Sequence, residues 1–204
     1  MRAALVNVGI GNIDSVERAL RYLGVPYHTI SDPVALSAAT HVVLPGVGAY
    51  RAGMEALRAH GLVEPLRELA EAGNTRIIGV CLGMQLLGTY SEEGDCEGLG
   101  LLPFRVERMQ ADPAAGLKVP HVGYASVQGY RPEGLFAGFG ERADFYFTHS
   151  YAVRDVGAPC NPGLCVHGEP FVAAFDAGSI CGAQFHPEKS QDNGLRLLKN
   201  FFSS

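Results

Sequence analysis

The first half of the chain alternates between short apolar runs and amphipathic segments, and this alternation constrains the fold more than any other feature. The apolar runs have strand length and lack polar alternation: Ala3 to Val8, Val25 to Ile30, His41 to Leu44 and Arg76 to Val80. The segments between them have the apolar spacing of helices: Asn12 to Gly24, Ala49 to His60, Leu62 to Gly73 and, after the last run, Leu82 to Tyr90. Strands that are apolar throughout are typical of a parallel sheet covered by helices on both faces.

The second half of the chain has a different character, with short strand-like segments from about Phe104 onward. These segments include Arg105 to Met109, Ala143 to Tyr151, Pro170 to Phe175 and Ser179 to Phe185. Asp176-Ala177-Gly178 fits a hairpin connection between the last two, and Gln191 to Phe202 has the pattern of a final helix. Because no linker or repeat interrupts the chain, we predict one domain over residues 1–204, with an open, mostly parallel sheet, helices on both faces and an added antiparallel region.

Composition and charge exclude several classes of function. The net charge of −5 and the absence of a basic run argue against a nucleic-acid partner. No stretch approaches the ~20 apolar residues of a membrane span, and the first apolar run is too short for a signal peptide. Five cysteines at irregular spacing do not form a disulfide framework, so we expect a protein of the reducing cytoplasm.

One cysteine lies in the frame Gly79-x-Cys81-x-Gly83, directly after the strand that ends at Val80. This frame has the form of a nucleophile elbow with cysteine in place of serine. The N-terminus of the following helix would favour the thiolate, and the N–H of Leu82 would be placed to stabilise an oxyanion. The frame alone does not separate a nucleophile from a buried structural cysteine.

Two further segments offer the groups that a thiolate nucleophile needs. His186 and Glu188 follow a strand and lie two residues apart, so that Glu188 could accept the ring N–H of His186. Gly46-Val47-Gly48 follows another strand, and its glycines free backbone N–H groups for a tetrahedral intermediate. Each segment alone also fits an ordinary surface loop, but together with Cys81 they favour a Cys-His-Glu triad.

Two other patterns point to ligands only weakly. Cys160, Cys165 and His167 form C-x4-C-x-H, which lacks a fourth ligand, and a polar loop over residues 157–163 explains the segment. Gly9-Ile10-Gly11 precedes a helix, but Asp14 stands where a dinucleotide fingerprint needs its third glycine. We therefore predict neither a metal nor a cofactor.

Three motifs in this order, PGVG, GVCLGMQLL and QFHPEKS, resemble those of class I (triad-type) glutamine amidotransferases, and the resemblance extends over nearly the whole chain. It is closest to the glutaminase subunits of imidazole glycerol phosphate synthases. Ser91-Glu92-Glu93, the segment from Tyr146 to Tyr151 and the opening Asn7 to Ile13 fit this group, and the chain is too short for a fused synthetase. The resemblance implies a flavodoxin-like α/β domain.

The resemblance also implies a role for each motif residue. Cys81 would attack the side-chain amide of glutamine and form a γ-glutamyl thioester, while His186 would protonate the leaving ammonia and Glu188 would orient His186. Backbone N–H groups of Val47 and Leu82 would form the oxyanion hole, and the glycines beside Val47 would let that loop change between competent and incompetent forms. The substrate would lie near Gly46, Gly48, Gln85, His149, Ser150 and Tyr151.

The implied partner is a separate (β/α)8 synthase subunit, which would receive the ammonia in a heterodimer and make imidazole glycerol phosphate in histidine biosynthesis. The segment from Pro120 to Ala125, PHVGYA, departs from the PHMGWN that is common in the family near the synthase interface. Tyr124, Ala125 and Tyr146 are the candidates for the docking rim. Three alternatives stay open: an ammonia donor for another synthase, for example in surface-sugar amidination, a stand-alone γ-glutamyl hydrolase, and a non-catalytic module that kept the fold.

Overall fold

The computed structural model describes residues 2–112, 114, 116–157 and 159–203. Within these ranges the strands are β1 (Ala3–Val6), β2 (Tyr27–Ile30), β3 (His41–Gly46), β4 (Arg76–Cys81), β5 (Tyr90–Ser91), β6 (Cys96–Glu97), β7 (Arg105–Arg108), β8 (His121–Gln128), β9 (Arg142–His149), β10 (Tyr151–Val153), β11 (Asn161–His167), β12 (Glu169–Ala177) and β13 (Ile180–Ala183). The helices are α1 (Ile13–Tyr22), α2 (Pro33–Ser37), α3 (Tyr50–Ala59), α4 (Val63–Ala72), α5 (Leu82–Leu86) and α6 (Gln191–Ser203). None of the helices in the described ranges combines the length and the hydropathy that a bilayer crossing requires.

A nine-stranded sheet in the order β2-β1-β3-β4-β13-β12-β11-β8-β9 forms the centre of the fold. The five strands from β2 to β13 are parallel neighbours. The four strands from β12 to β9 pair antiparallel with each other, and β12 joins them antiparallel to β13. The predicted α/β class, with a parallel half and an added antiparallel region, is therefore confirmed.

Helices cover both faces of the parallel half, as its uniformly apolar strands predict. Val42 and Leu44 of β3 join the core under α3 and α4, whereas Val43 between them joins the core under α1 and α6. Each of these three side chains is at most 1% exposed. Successive residues of a strand point to opposite faces, so a strand buried on both sides reads as a continuous apolar run.

The structure corrects several boundaries. The helix after Cys81 ends at Leu86, not at Tyr90, because the chain turns at Gly88 against the ring of Phe104 and pairs as β5 in a second sheet of order β10-β7-β5-β6. The segment predicted as one strand from Ala143 to Tyr151 breaks at Ser150 into β9 and β10, which belong to different sheets.

The sequence prediction missed five elements: α2, β5, β6, β8 and β11. β11 overlaps the end of the predicted polar loop at 157–163, where residues 159–163 are described and form strand from Asn161 onward. β8 alternates along its whole length between exposed residues and residues that are buried or half-buried, but Val122 and Tyr124 on the exposed face are apolar. Strands with one open face carry weaker apolar signals than strands buried on both faces.

Candidate active site

The carboxyl ends of β3, β4 and β13 lie side by side and bring the three sequence motifs together. Gly46 at the end of β3 pairs with Cys81 at the end of β4, and Val80 pairs with Ala183 at the end of β13. His186 follows three residues later. This edge is the position at which open parallel sheets form their sites, as the sequence predicts.

Cys81 has a strained backbone conformation on the turn between β4 and α5. Its φ is +54° and its ψ is −112°, a conformation that residues other than glycine rarely adopt. A Cβ at Gly79 would lie 2.5 Å from the carbonyl oxygen of Gly83, and one at Gly83 would collide with the carbonyl oxygen of Leu44. The two glycines therefore allow the sharp turn that presents the Cys81 thiol, as in a nucleophile elbow.

Gly83→Ala is expected to lower the free energy of unfolding by about 3 kcal/mol or more, because the added methyl group meets main-chain atoms that cannot rotate away. Gly140→Ala is the matched control, since a Cβ there has nothing within 4 Å, and we expect no measurable change. Chemical denaturation of both variants tests the expectation. Equal stability of Gly83→Ala and the unmodified protein would contradict the proposed close packing of the elbow.

His186 and Glu188 form a buried pair at 2.8 Å between Nδ1 and Oε1, and both side chains are 2% exposed. The ring nitrogen Nδ1 therefore donates to the carboxylate, while Nε2 is buried without a hydrogen-bond partner among the described residues. Burial lowers the pKa of His186, but the Cys81 sulfur and the Glu188 carboxylate outweigh burial and raise the pKa to about 9. The site thus favours an imidazolium next to the sulfur at neutral pH.

Ser190 fixes the main chain around His186, a role that the sequence prediction did not assign. Its hydroxyl donates to the carbonyl oxygen of His186 at 2.7 Å and accepts the N–H of Tyr146 at 2.9 Å. The carbonyl oxygen of Tyr146 in turn accepts the N–H of His186 at 2.9 Å. Ser190 closes the QFHPEKS motif, so its position in that motif was the available signal.

A cavity of about 320 Å³ opens on Cys81 and His186. Seven other predicted site residues line it, and the sequence prediction missed three more of its lining residues, Glu93, Pro120 and Thr148. Gly46 lies beside Cys81 in the sheet and does not line the cavity. The seven predicted lining residues are Val47, Gly48, Leu82, Gln85, His149, Ser150 and Tyr151.

Gln85 and His149 share the carbonyl oxygen of Tyr151 as an acceptor. Gln85 Nε2 donates to this oxygen at 3.1 Å and to Gln184 Oε1 at 2.9 Å, so the amide oxygen of Gln85 is left as an acceptor for a ligand. His149 Nδ1 donates to the same Tyr151 oxygen at 2.8 Å, and its Nε2 accepts from His121 Nδ1 at 3.2 Å.

His149 is a neutral wall of the cavity. Burial lowers the pKa of His149 to about 3 and that of His121 to about 4. Both ring nitrogens of His149 are already engaged with protein atoms. His149 therefore lies where the sequence prediction placed it, but it shapes the cavity and has no hydrogen bond left for a substrate.

One of the two predicted oxyanion donors points away from the cavity. The N–H of Val47 donates to the carbonyl oxygen of Ile10 at 2.5 Å, which makes it unavailable in this conformation. Gly48 next to it has φ +99°, a value that glycine adopts without strain. Leu82 is the first residue of α5, so its N–H has no acceptor within that helix. A complete oxyanion hole thus requires the peptide at Val47 to rotate.

The predicted docking residues lie on β8 and β9 beside the site. Tyr124 is 52% exposed, its ring contacts that of Tyr146 with centroids 5.6 Å apart, and its hydroxyl donates to the carbonyl oxygen of Lys189 at 2.7 Å. Ala125 pairs with the fully buried Phe145 and packs on the core. The sequence prediction placed Ala125 on the rim, and the alternation of side chains along β8 turns it inward.

The weak cysteine pattern does not converge. Cys165 is buried and burial raises its pKa to about 11, the Cys160 thiol donates to the carbonyl oxygen of Gly157, and His167 stacks on His121. No group of three or more His, Cys, Asp or Glu side chains in the described part of the chain is arranged to hold a metal ion.

Comparisons with known proteins agree with the geometry. A family model described as Glutamine amidotransferase class-I matches residues 4–204. The imidazole glycerol phosphate synthase subunit HisH of Xanthomonas axonopodis pv. citri (strain 306) is 48% identical over 201 residues, which cover 97% of this chain and 95% of the relative. The same subunit of Moorella thermoacetica (strain ATCC 39073 / JCM 9320) is 44% identical over 199 residues, covering 97% and 92%.

A solved structure of a glutamine amidotransferase has the same fold, with a TM-score of 0.76 at 21% identity, covering 98% of this chain and 97% of that one. The resemblance inferred from the three motifs is therefore confirmed by whole-chain similarity. The chain belongs to the class I glutamine amidotransferase family and, within it, to the HisH group.

Proposed function

We propose that this protein hydrolyses L-glutamine to glutamate and ammonia through a thioester on Cys81, and that it supplies the ammonia to a synthase making imidazole glycerol phosphate in histidine biosynthesis. The hydrolysis is inferred chiefly from the strained turn at Cys81. This turn places the thiol in the cavity that His186, paired with Glu188, also lines. The similarity to HisH subunits over nearly the whole chain supports the pathway.

The chemistry follows from the protonation states of Cys81 and His186. The Cys81 sulfur attacks the carboxamide carbon of glutamine, and His186 Nε2 gives its proton to the amide nitrogen as the C–N bond breaks and ammonia leaves. The now neutral His186 takes a proton from water, whose oxygen attacks the thioester carbon and releases glutamate and the Cys81 thiolate. Glu188 accepts from Nδ1 throughout and keeps Nε2 directed at the reacting atoms.

Two acceptors in the cavity suit the α-ammonium group of the substrate. Glu93 lines the cavity, and its carboxylate is held by the N–H of Tyr50 at 3.0 Å. The amide oxygen of Gln85 is free because both N–H groups of that amide already donate to the protein. Ser150, Tyr151 and the backbone at Gly48 complete the proposed substrate site, and Gly46 supports it from beside Cys81 in the sheet.

The bond between Val47 and Ile10 supports activation by a partner. While the Val47 N–H donates to Ile10, the tetrahedral intermediate lacks one of its two donors. The proposed partner is a (β/α)8 synthase subunit in a cytoplasmic heterodimer, which docks on Tyr124 and Tyr146. The main chain of Tyr146 holds the N–H of His186, so that a partner on this rim adjoins the catalytic base. We propose that the whole chain acts as one domain.

Docking of the synthase, loaded with an analogue of its acceptor, is expected to raise glutaminase activity about 10²–10³-fold, the usual value of one oxyanion donor. Tyr124→Ala should strongly reduce this activation and change the melting temperature only slightly. Tyr22→Ala is the matched control, because Tyr22 is 78% exposed at the end of α1 and should leave activation unchanged. A coupled assay for glutamate release, with and without the synthase, measures each effect.

Other outcomes of this assay point to other functions. A free subunit that already hydrolyses glutamine at the rate of the complex would overturn the gating and indicate a stand-alone hydrolase. Activation by a different synthase, with none by the histidine-pathway enzyme, would indicate another ammonia-accepting partner. A separate growth test addresses the pathway. The protein should restore histidine-independent growth to a strain that lacks its own glutaminase subunit, and failure to do so would contradict the proposed pathway.

A further inference from the structure

Gln184 lies just after β13 and is fully buried, yet its side chain contacts the proposed nucleophile. Its Nε2 lies 3.8 Å from Cys81 Sγ, and its Oε1 accepts from Gln85 Nε2 at 2.9 Å. Its own N–H donates to the carbonyl oxygen of Ala173 in β12 at 2.8 Å, which fixes its main chain in the sheet. No step of the mechanism described above uses this side chain.

The hydrogen-bond network determines which end of the Gln184 amide faces the sulfur. Gln85 donates one N–H to the carbonyl oxygen of Tyr151, an acceptor that cannot reverse its role. The other N–H of the same Gln85 nitrogen then points at Gln184, whose oxygen must receive it. The NH2 group of Gln184 is left to face Cys81.

We infer that Gln184 is a catalytic residue, which donates an N–H to the Cys81 thiolate and, through its oxygen, fixes the amide of Gln85 in the substrate site. One buried amide thus joins the nucleophile to the substrate-binding side chain. This inference rests on the proposed role of Cys81 as the nucleophile.

The two contacts of the Cys81 sulfur act in opposite directions. The thiol donates to the carbonyl oxygen of Thr148 at 4.0 Å, a contact that only the protonated sulfur can make. The Gln184 N–H favours the ionised sulfur, and hydrogen bonds to charged groups are about twice as strong as those between neutral groups. When the proton moves from Sγ to His186 Nε2, the Thr148 contact is lost and the Gln184 contact strengthens.

The other ionisable groups near Cys81 are unchanged by substitution of Gln184. They are His186 with Glu188, the neutral His149 backed by His121, and Glu93 on the cavity wall. A change in thiolate formation in a Gln184 variant therefore reports the loss of the amide donor.

The test measures alkylation of Cys81 by iodoacetamide as a function of pH, with a Cys81→Ala sample subtracted as background. Gln184→Met keeps the length of the side chain and removes both polar atoms, and Gln184→Leu is a second variant in case methionine is not tolerated. We expect both to move the midpoint of the alkylation curve to higher pH and to lower kcat/KM about 10- to 100-fold. Part of the loss should appear as a higher KM, because Gln85 loses its partner.

Thr75→Val is the matched control, since Thr75 is also buried. Its hydroxyl donates to the carbonyl oxygen of Ala39 at 3.0 Å, next to the start of β4 and away from Cys81. It should lower stability and leave the alkylation curve unchanged. A purely structural Gln184 would behave in the same way, and an unmoved curve in both Gln184 variants would overturn the inference. Absence of Cys81 alkylation in the unmodified protein would instead contradict the proposed nucleophile.

Discussion

Replacement of Cys81 by alanine is expected to reduce glutamine hydrolysis about 10⁴-fold or more, because no other group in the cavity can form the thioester. The fold should survive, since alanine keeps the Cβ and removes one atom from a side chain that is 7% exposed. Glutamate release measures the activity, and the melting temperature of the variant verifies the fold.

A glutamine analogue with an electrophilic carbon in place of the amide should label Cys81 alone. Burial raises the pKa of Cys160, that of Cys165 to about 11 and that of Cys181 to about 12, so these thiols remain protonated at neutral pH. Cys96→Ala is the matched control, because Cys96 lies in the small second sheet, and this variant should keep full activity and full labelling. Labelling at any of the four other cysteines would contradict the assignment of Cys81.

The parallel half of the fold was predictable because burial on both faces leaves a simple record in the sequence. Val42, Val43 and Leu44 are apolar without interruption, since the first and third lie under one layer of helices and the second under the other. On β8 that record is partial, because Val122 and Tyr124 are exposed apolar residues on an open face. The pattern there resembles neither a buried strand nor a regular half-buried one.

The relative positions of Cys81, His186 and Glu188, the residues of the proposed triad, were predictable for a related reason. Parallel strands end at one edge, so residues that follow them are brought together whatever their distance in sequence. Glu93 reaches the cavity from the loop between β5 and β6, and Gln184 acts through a buried hydrogen-bond network. Neither the position of Glu93 nor the contacts of Gln184 leave a periodic pattern in the sequence, so both could be found only in the three-dimensional structure.

The conformation of the loop Gly46-Val47-Gly48 likewise could not be predicted from the sequence. Gly46 and Gly48 indicate that the loop can change conformation, but the acceptor that holds the Val47 N–H is the carbonyl of Ile10, from a segment 37 residues away. A glycine permits several main-chain conformations, and distant contacts select among them. The sequence could therefore predict a movable loop, whereas its resting partner came from the tertiary structure.

His186→Asn is expected to slow glutamine hydrolysis about 10²–10⁴-fold, because asparagine can still bond to Glu188 but cannot carry a proton to the leaving ammonia. Glu188→Gln should be milder, since the imidazole remains and its Nδ1 keeps a neutral acceptor. Single-turnover measurement of thioester formation separates this loss from changes in substrate binding. Activity of His186→Asn equal to that of the unmodified protein would exclude the triad.

His186→Asn should also change the pH dependence of stability. The pKa of His186 rises from its ordinary 6.5 to about 9 in the folded protein, so the folded state holds this proton more tightly than the unfolded chain does. The stabilisation is fully present below pH 6.5 and is lost as the pH rises through about 9. Denaturation at pH 6 and at about pH 9.5 should therefore show a larger loss of stability for the unmodified protein than for His186→Asn. An equal loss in both proteins would mean that Cys81 and Glu188 do not hold the imidazolium, and the proposed acid for ammonia departure would have to be another group.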